Sequence, residues 1–207
     1  GTVELLTEGK FHYDALALAE RDGSLVALQD AIDQPPLPVR HDPDAREVSR
    51  IDAALEAPEA PGDLTEISIE AEDGTRVRSW LCVPKGASET NPAPLLLWIH
   101  GGPFGSWNSW SWRWNPWTAV ARGYAVLLPD PAISTGYGQQ MIDRGWDQLG
   151  GSPFDDIMRA TKAALERPEI DESKKAALGG SYGGYMANWV AGHTGDFFDC
   201  IVTHASL

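Results

Sequence analysis

Basic residues, cysteines and long apolar runs are all scarce in this sequence, and each shortage excludes a class of function. Lys and Arg number 16 against 30 acidic side chains, for a formal net charge of −14. Phosphate backbones recruit Lys and Arg, so the sign of the charge argues against a nucleic-acid partner and, for the same reason, against an anionic membrane surface. No apolar run approaches the ~18 residues that a spanning helix needs. Gly1–Lys10 has no basic stretch followed by an apolar one, so no secretory leader is legible. The chain opens on Gly rather than Met, which leaves room for an upstream part. Cys82 and Cys200 are the only cysteines and fit no metal or disulfide spacing. They are expected to be buried free thiols of a cytoplasmic protein. What is present is a chain of 207 residues, 43% hydrophobic, enough for one full domain or parts of two.

The first part reads as antiparallel β. Asp14–Ala19 and Leu25–Leu28 flank Arg21-Asp22-Gly23-Ser24, a hairpin turn with Asp-Gly at its centre. Pro35-Pro36-Leu37-Pro38 is expected to end it, because proline cannot donate to a ladder. A lone hairpin is marginal, so it must pack on more sheet. Ala53–Asp63, rich in Ala, Pro and Glu, reads as a linker, with the domain boundary near Gly62. Glu66–Glu70 and Val77–Val83 form a second hairpin, expected at the edge of a new sheet. From Pro94 the pattern changes. Leu95–Ile99 and Tyr124–Leu128 are unbroken apolar runs that suit strands buried in a parallel sheet. Asn115-Pro116 and Ser152-Pro153 are helix starts. Ala176–Gly179, Gly183–Gly192 and Cys200–Thr203 read as strand, helix and strand. Strands alternating with helices imply an α/β fold with a parallel sheet.

The chemistry gathers at Gly179–Tyr185, G-G-S-Y-G-G-Y. It holds G-x-S-x-G between an apolar strand and a helix, the context of a nucleophile elbow in an α/β-hydrolase fold. Ser181 is the expected nucleophile. Gly179 and Gly183 clear the space beside a strained turn. A serine needs a base and an oxyanion hole with two donors. One donor is expected from the amide of Tyr182, the residue after the nucleophile. The other is expected from Gly102, because His100-Gly101-Gly102-Pro103 directly follows the strand Leu95–Ile99. His100 reads as bracing that turn rather than as a base. The fold orders its triad as Ser, acid, His, and only 26 residues follow Ser181. His193 is expected to meet the carbonyls at its helix end, and His204 to be buried and hydrogen-bonded. Neither is assigned as base, so the catalytic unit is expected to be incomplete within this chain. Trp107, Trp110, Trp112, Trp114 and Trp117 lie within eleven residues. They read as packing mass, with Trp107 the candidate for substrate contact. Asp155 and Asp156 pair on paper, but a helix start explains them. No cofactor or metal is called for.

These motifs resemble the prolyl oligopeptidase family, especially its acylaminoacyl-peptidase and dipeptidyl-peptidase-like branches. Gly179–Tyr185 matches the nucleophile motif and His100–Pro103 the oxyanion motif. Ser134-Thr135-Gly136-Tyr137-Gly138 ends the signature R-G-S-x-G-Y-G, with Ala132 and Ile133 in place of Arg-Gly. Gly145-Trp146, Gly150-Gly151 and Tyr185-Met186-x-Asn188-Trp189 also fit. The resemblance implies a last β-propeller blade within 1–62, linker included. It implies the N-terminal part of an α/β-hydrolase catalytic domain over 63–207, with the acid and base beyond Leu207. It places Leu207 near the start of a substrate pocket. The expected activity is serine peptidase action on short peptides. An esterase or lipase on the same fold and a non-catalytic assembly module are the alternatives. Expected partners are peptide substrates, the rest of the same polypeptide, and a second copy in a homo-oligomer.

Overall fold

The computed structural model describes residues 4–7, 9–42, 44–45, 47–51 and 59–206. They fall into two compact units, one drawn from Gly1–Glu59 with Asn108–Asn115 and the other from Ala60–Trp107 with Pro116–Leu207.

In the first unit, β1 (His12–Leu18), β2 (Leu25–Ala31), β3 (Gln34–Asp42) and β4 (Glu47–Arg50) lie side by side in chain order, each antiparallel to the next. The expected turn closes the first hairpin. Asp22 Oδ1 accepts from the Ser24 amide at 3.1 Å and from its hydroxyl at 2.7 Å. The expected stop at Pro35–Pro38 does not hold, because these prolines lie inside β3. On one flank β4 pairs only with Val39–Asp42. On the other the register slips between Gln29 and Ala31, opposite Pro35 and Pro36. The ladder therefore demands few N–H donors where proline has none. Pro38 still accepts, from the Ile51 amide at 3.0 Å. Ala27, Ala31, Leu37 and Val39 form the buried face. Asp30, 4% exposed, accepts from the Trp110 amide at 2.7 Å and pairs with His12 Nδ1 at 3.1 Å.

The second unit is built on β5 (Gly62–Glu70), β6 (Arg76–Pro84), β7 (Ala93–Ile99), β8 (Ala125–Pro129), β9 (Ile170–Gly180) and β10 (Cys200–His204), in the order β10-β9-β7-β8-β6-β5. The β5–β6 hairpin is the expected edge. β6 runs antiparallel to β8, and β8, β7, β9 and β10 run parallel. β5 already begins at Gly62, so the end of the expected linker is strand; residues 52–58 lie outside the described residues. β8 is buried at every position. In β7, Leu95, Leu97 and Ile99 are sealed while Leu96 and Trp98 are half-buried. Burying side chains of this size contributes about 1.5–3 kcal/mol each.

The helices are α1 (Trp117–Val120), α2 (Gln139–Gly145), α3 (Ser152–Leu165) and α4 (Tyr182–His193). The first starts one residue later than expected, with Pro116 itself as N-cap. α2, short and lacking a side-chain cap, has no counterpart in the sequence reading. Cys82 is buried, but Cys200, at the start of the outermost strand, is exposed rather than buried. No described helix is long and apolar enough to cross a membrane.

The topology places a crevice. The chain leaves β7 toward β8 on one side, and leaves β9 toward β10 on the other. Adjacent parallel strands whose exits diverge open a cleft at their carboxyl ends, the usual ligand position in such sheets. The loop after β7 begins at His100 and the turn after β9 is at Ser181.

Candidate active site

Ser181 stands between β9 and α4 with φ 58° and ψ −122°, a region that costs a non-glycine residue about 1–3 kcal/mol. Packing enforces the strain. A Cβ on Gly179 would lie 2.2 Å from the Gly183 carbonyl oxygen, and one on Gly183 would lie 2.2 Å from that of Ile99. Strand and helix thus approach more closely than any side chain permits. Ser181 is exposed. It sits at the N-cap of α4, where a serine hydroxyl commonly bonds an amide of the first turn. Here it makes no such bond. The Ser181 amide donates to the His204 carbonyl at 2.9 Å, and its carbonyl accepts from the Tyr185 amide at 3.0 Å. The backbone is held on both sides while the hydroxyl is not consumed.

Tyr182 is the first residue of α4, where helical amides lack intrahelical acceptors and the helix end carries partial positive charge. Its ring is fully buried and lies parallel to Tyr185 at 5.8 Å, and its hydroxyl donates to the Leu149 carbonyl at 2.9 Å. Burial, with Tyr185 beside it, pushes this phenol above its ordinary range, so it stays a neutral donor. The side chain thus anchors the first residue of α4.

The loop after β7 lies against the elbow. A Cβ on Gly101 would sit 3.1 Å from the Gly180 carbonyl oxygen and 3.5 Å from Ser181 Cβ. Gly102 takes φ 128°, a conformation that favours glycine. His100, 6% exposed, braces this loop as the sequence suggested. Its Nδ1 lies 2.8 Å from the Gly101 carbonyl oxygen and its Nε2 lies 2.9 Å from Ser134 Oγ. A carbonyl can only accept, so Nδ1 carries the proton, and in that tautomer Nε2 accepts from the Ser134 hydroxyl.

Asp130, fully buried, ties the far end of the same loop down. Its Oδ1 accepts from the Trp107 amide at 2.7 Å, and its Oδ2 takes Arg78 Nη2 and the Tyr137 hydroxyl. The Arg78 guanidinium lies 4.4 Å from the centre of the Trp80 ring. Trp107, the candidate for substrate contact, is 7% exposed, with its ring edge-on to Trp98 at 5.9 Å and His100 at 6.4 Å. Leu207 lies outside the described residues.

The cavity lies elsewhere. About 820 Å³ opens between Pro103 and Phe104 of the loop after β7, Trp146–Gly151, and Tyr185 and Trp189 of α4. Phe104 and Trp146 pair at its mouth with centroids 5.7 Å apart, each about half exposed. A largely apolar hollow of this size with few polar groups is what small-ligand sites offer. The sequence motifs contained Trp146, Tyr185 and Trp189 but gave no sign that they meet.

The other titratable candidates are accounted for. His193 Nδ1 lies 2.7 Å from the Trp189 carbonyl, as expected at a helix end. His204 is exposed, not buried, at the end of an outermost strand. Asp155 lies in the first turn of α3. Asp156 differs from its neighbour: it is 1% exposed and receives Arg144 and the Ala132 amide. Among the described residues no cluster of His, Cys, Asp and Glu could hold a metal ion.

The profile of the prolyl oligopeptidase family (peptidase S9) matches residues 110–207. The chain is 39% identical over 147 residues to the probable dipeptidyl-peptidase 5 of Emericella nidulans, covering 70% of this chain and 20% of that one. It is 39% identical over 148 residues to the dipeptidyl-peptidase 5 of Schizosaccharomyces pombe, covering 70% and 22%. It superposes on the Pyrococcus horikoshii acylaminoacyl peptidase with a TM-score of 0.81 at 22% identity, over 97% of this chain and 32% of that one. For a Mycobacterium tuberculosis puromycin-hydrolyzing peptidase the TM-score is 0.72 at 24% identity, over 87% and 29%. These neighbours share the α/β-hydrolase fold. The chain spans about a fifth of the length of the curated relatives it matches.

Proposed function

We propose that this chain, whose residues 110–207 belong to the prolyl oligopeptidase family, is part of a serine peptidase that hydrolyses short peptides. The observation that carries the reading is the exposed Ser181 at φ 58°, with the Gly101–Gly102 loop packed against it and α4 starting at its carbonyl side. Ser181 Oγ attacks the scissile carbonyl carbon. The amides of Tyr182 and Gly102 receive the negative charge that develops on the carbonyl oxygen; one such donor is worth about 10²–10³ in kcat. A base takes the serine proton and returns it to the leaving amine, and water then hydrolyses the acyl-enzyme.

The base comes from residues beyond Leu207 in a longer polypeptide. Four histidine rings are engaged elsewhere: His12 with Asp30, His41 with the Leu6 carbonyl, His100 with Ser134 and Gly101, and His193 with Trp189. The fifth, His204, is on the strand beside the elbow, where its carbonyl already holds the Ser181 amide. The exposed outer strand β10 supports further strands of the same polypeptide pairing there. The four-stranded antiparallel sheet of the first unit has the strand count of a propeller blade, which supports reading it as the last blade. The aromatic cavity favours apolar substrate side chains.

The test uses the full-length protein. A fluorophosphonate probe labels the wild type, and Ser181→Ala abolishes labelling; persistent labelling of the variant refutes the assignment. Comparing kcat/KM for an acyl-peptide anilide and a simple ester separates a peptidase from an esterase.

A further inference from the structure

Ile133 is a buried, β-branched residue with φ 75°, a conformation such residues rarely adopt. Strain of this kind persists only where surrounding contacts impose it. Three amides around it are held. The Ala132 amide donates to Asp156 Oδ2 at 2.8 Å, the Ile133 amide to the Met141 carbonyl at 2.7 Å, and the Ser134 amide to the Pro131 carbonyl at 3.0 Å. Gly145 leaves room for the turn, since a Cβ there would lie 2.5 Å from Ile133 Cβ.

The anchor of this arrangement is Asp156, 1% exposed on α3. A buried carboxylate needs a partner, because leaving it unpaired is costly. Arg144, from the last turn of α2, supplies one in a fork: Nη1 to Oδ2 at 2.9 Å and Nη2 to Oδ1 at 3.1 Å. Its Nε also reaches Asp73 Oδ2, in the turn between β5 and β6, at 2.7 Å. At residues 132 and 133, where the R-G-S-x-G-Y-G signature has Arg-Gly, this chain has Ala and Ile. The guanidinium that meets Asp156 comes from α2.

Beyond the turn, Ser134, fully buried, donates to His100 Nε2, and His100 Nδ1 donates to the Gly101 carbonyl. That carbonyl and the Gly102 N–H belong to one planar peptide unit and point in opposite directions. Holding the oxygen aims the N–H. We propose that Arg144 is a positioning residue: the Arg144–Asp156 pair holds the strained Ile133 turn, and through Ser134 and His100 it sets the direction of the Gly102 amide. The proposal rests on the peptidase reading above, in which that amide binds the oxyanion.

The experiment is a double-mutant cycle in the full-length protein. Arg144→Lys keeps the charge but loses the fork. It lowers kcat at least tenfold with KM within about threefold of wild type, at a temperature where both proteins are folded. Ser134→Ala cuts the same path further on and produces a similar loss. The double variant loses no more than the worse single variant, because both act through one link. Ile133→Gly accepts φ 75° without strain and restores kcat at least threefold in the Arg144→Lys background. That variant keeps the test readable if Arg144→Lys alone does not fold. Wild-type kcat in Arg144→Lys, losses that multiply in the double variant, or no restoration by Ile133→Gly would each overturn the proposal. Fluorophosphonate labelling of wild type but not of Ser181→Ala, measured alongside, shows that the peptidase reading stands whichever way the cycle falls.

Discussion

At Ser181 the turn depends on close backbone packing. The hydroxyl is presented because two glycines let backbone meet backbone, Gly179 against Gly183 and Gly183 against Ile99. Gly183→Ala forces a methyl to within 2.2 Å of a carbonyl oxygen, so the turn or β7 must shift. Overpacking of this kind costs about 1–3 kcal/mol. The expected outcome is a lower midpoint in urea unfolding, together with at least a hundredfold loss of fluorophosphonate labelling rate in the full-length protein. These glycines were legible because their spacing is local, set by one turn of seven residues. Asp130, Asp156 and Arg144 were not. Each acts on residues distant in sequence, Arg144 on Asp73 and Asp130 on Arg78, and no spacing rule reports such a pair.

Among the elements, the β5–β6 hairpin shows how a turn can be tied to a distant helix. Asp73 sits in its turn, accepting from the Thr75 amide and from Arg144 of α2. Hydrogen bonding from Arg144, then from Thr75, lowers its carboxyl from 3.8 to about 2. A carboxyl depressed in the folded state contributes stability above its unfolded value and loses it as pH falls through the folded one. Its contribution is therefore complete above pH 3.8 and disappears toward pH 2. In Asp73→Asn that part of the acid dependence is absent. Thermal unfolding from pH 5 to pH 2 is expected to give a shallower fall in Tm for the variant than for wild type. The strands of the second unit were readable as elements because a run such as Leu95–Ile99 has few other uses. β3 departs from the proline expectation because Pro35 and Pro36 lie at a register slip and β4 pairs beyond Pro38, which sequence alone does not reveal. α2 was missed because a seven-residue helix held by Met141 and Arg144 contacts has little local signal.

For the chain as a whole, the notable feature is that Asn108–Asn115 joins the first unit although the flanking segments belong to the second. Asp30, buried beneath the sheet surface, holds the Trp110 amide, and Trp110 and Trp112 meet edge-on at 5.3 Å. Hydrogen bonds to a charged group contribute about 1.5–3 kcal/mol. Asp30→Ala is expected to destabilise the first unit by about that amount, read from the tryptophan fluorescence transition in guanidinium. An unchanged transition would mean that the segment is held by packing alone.

Local grammar was enough for the strand-elbow-helix around Ser181, for the glycine loop that follows β7, and for the chain's net acidic charge. These depend on residues within a few positions of one another, or on sums over the whole composition. Folding alone could bring Arg144 to Asp156, seat Trp107 in the core, expose Cys200, and gather Phe104, Trp146, Tyr185 and Trp189 around one cavity. The reason is physical: such contacts are chosen by which surfaces bury each other once the sheet has formed, and several pairings of similar energy are open to the chain until it does.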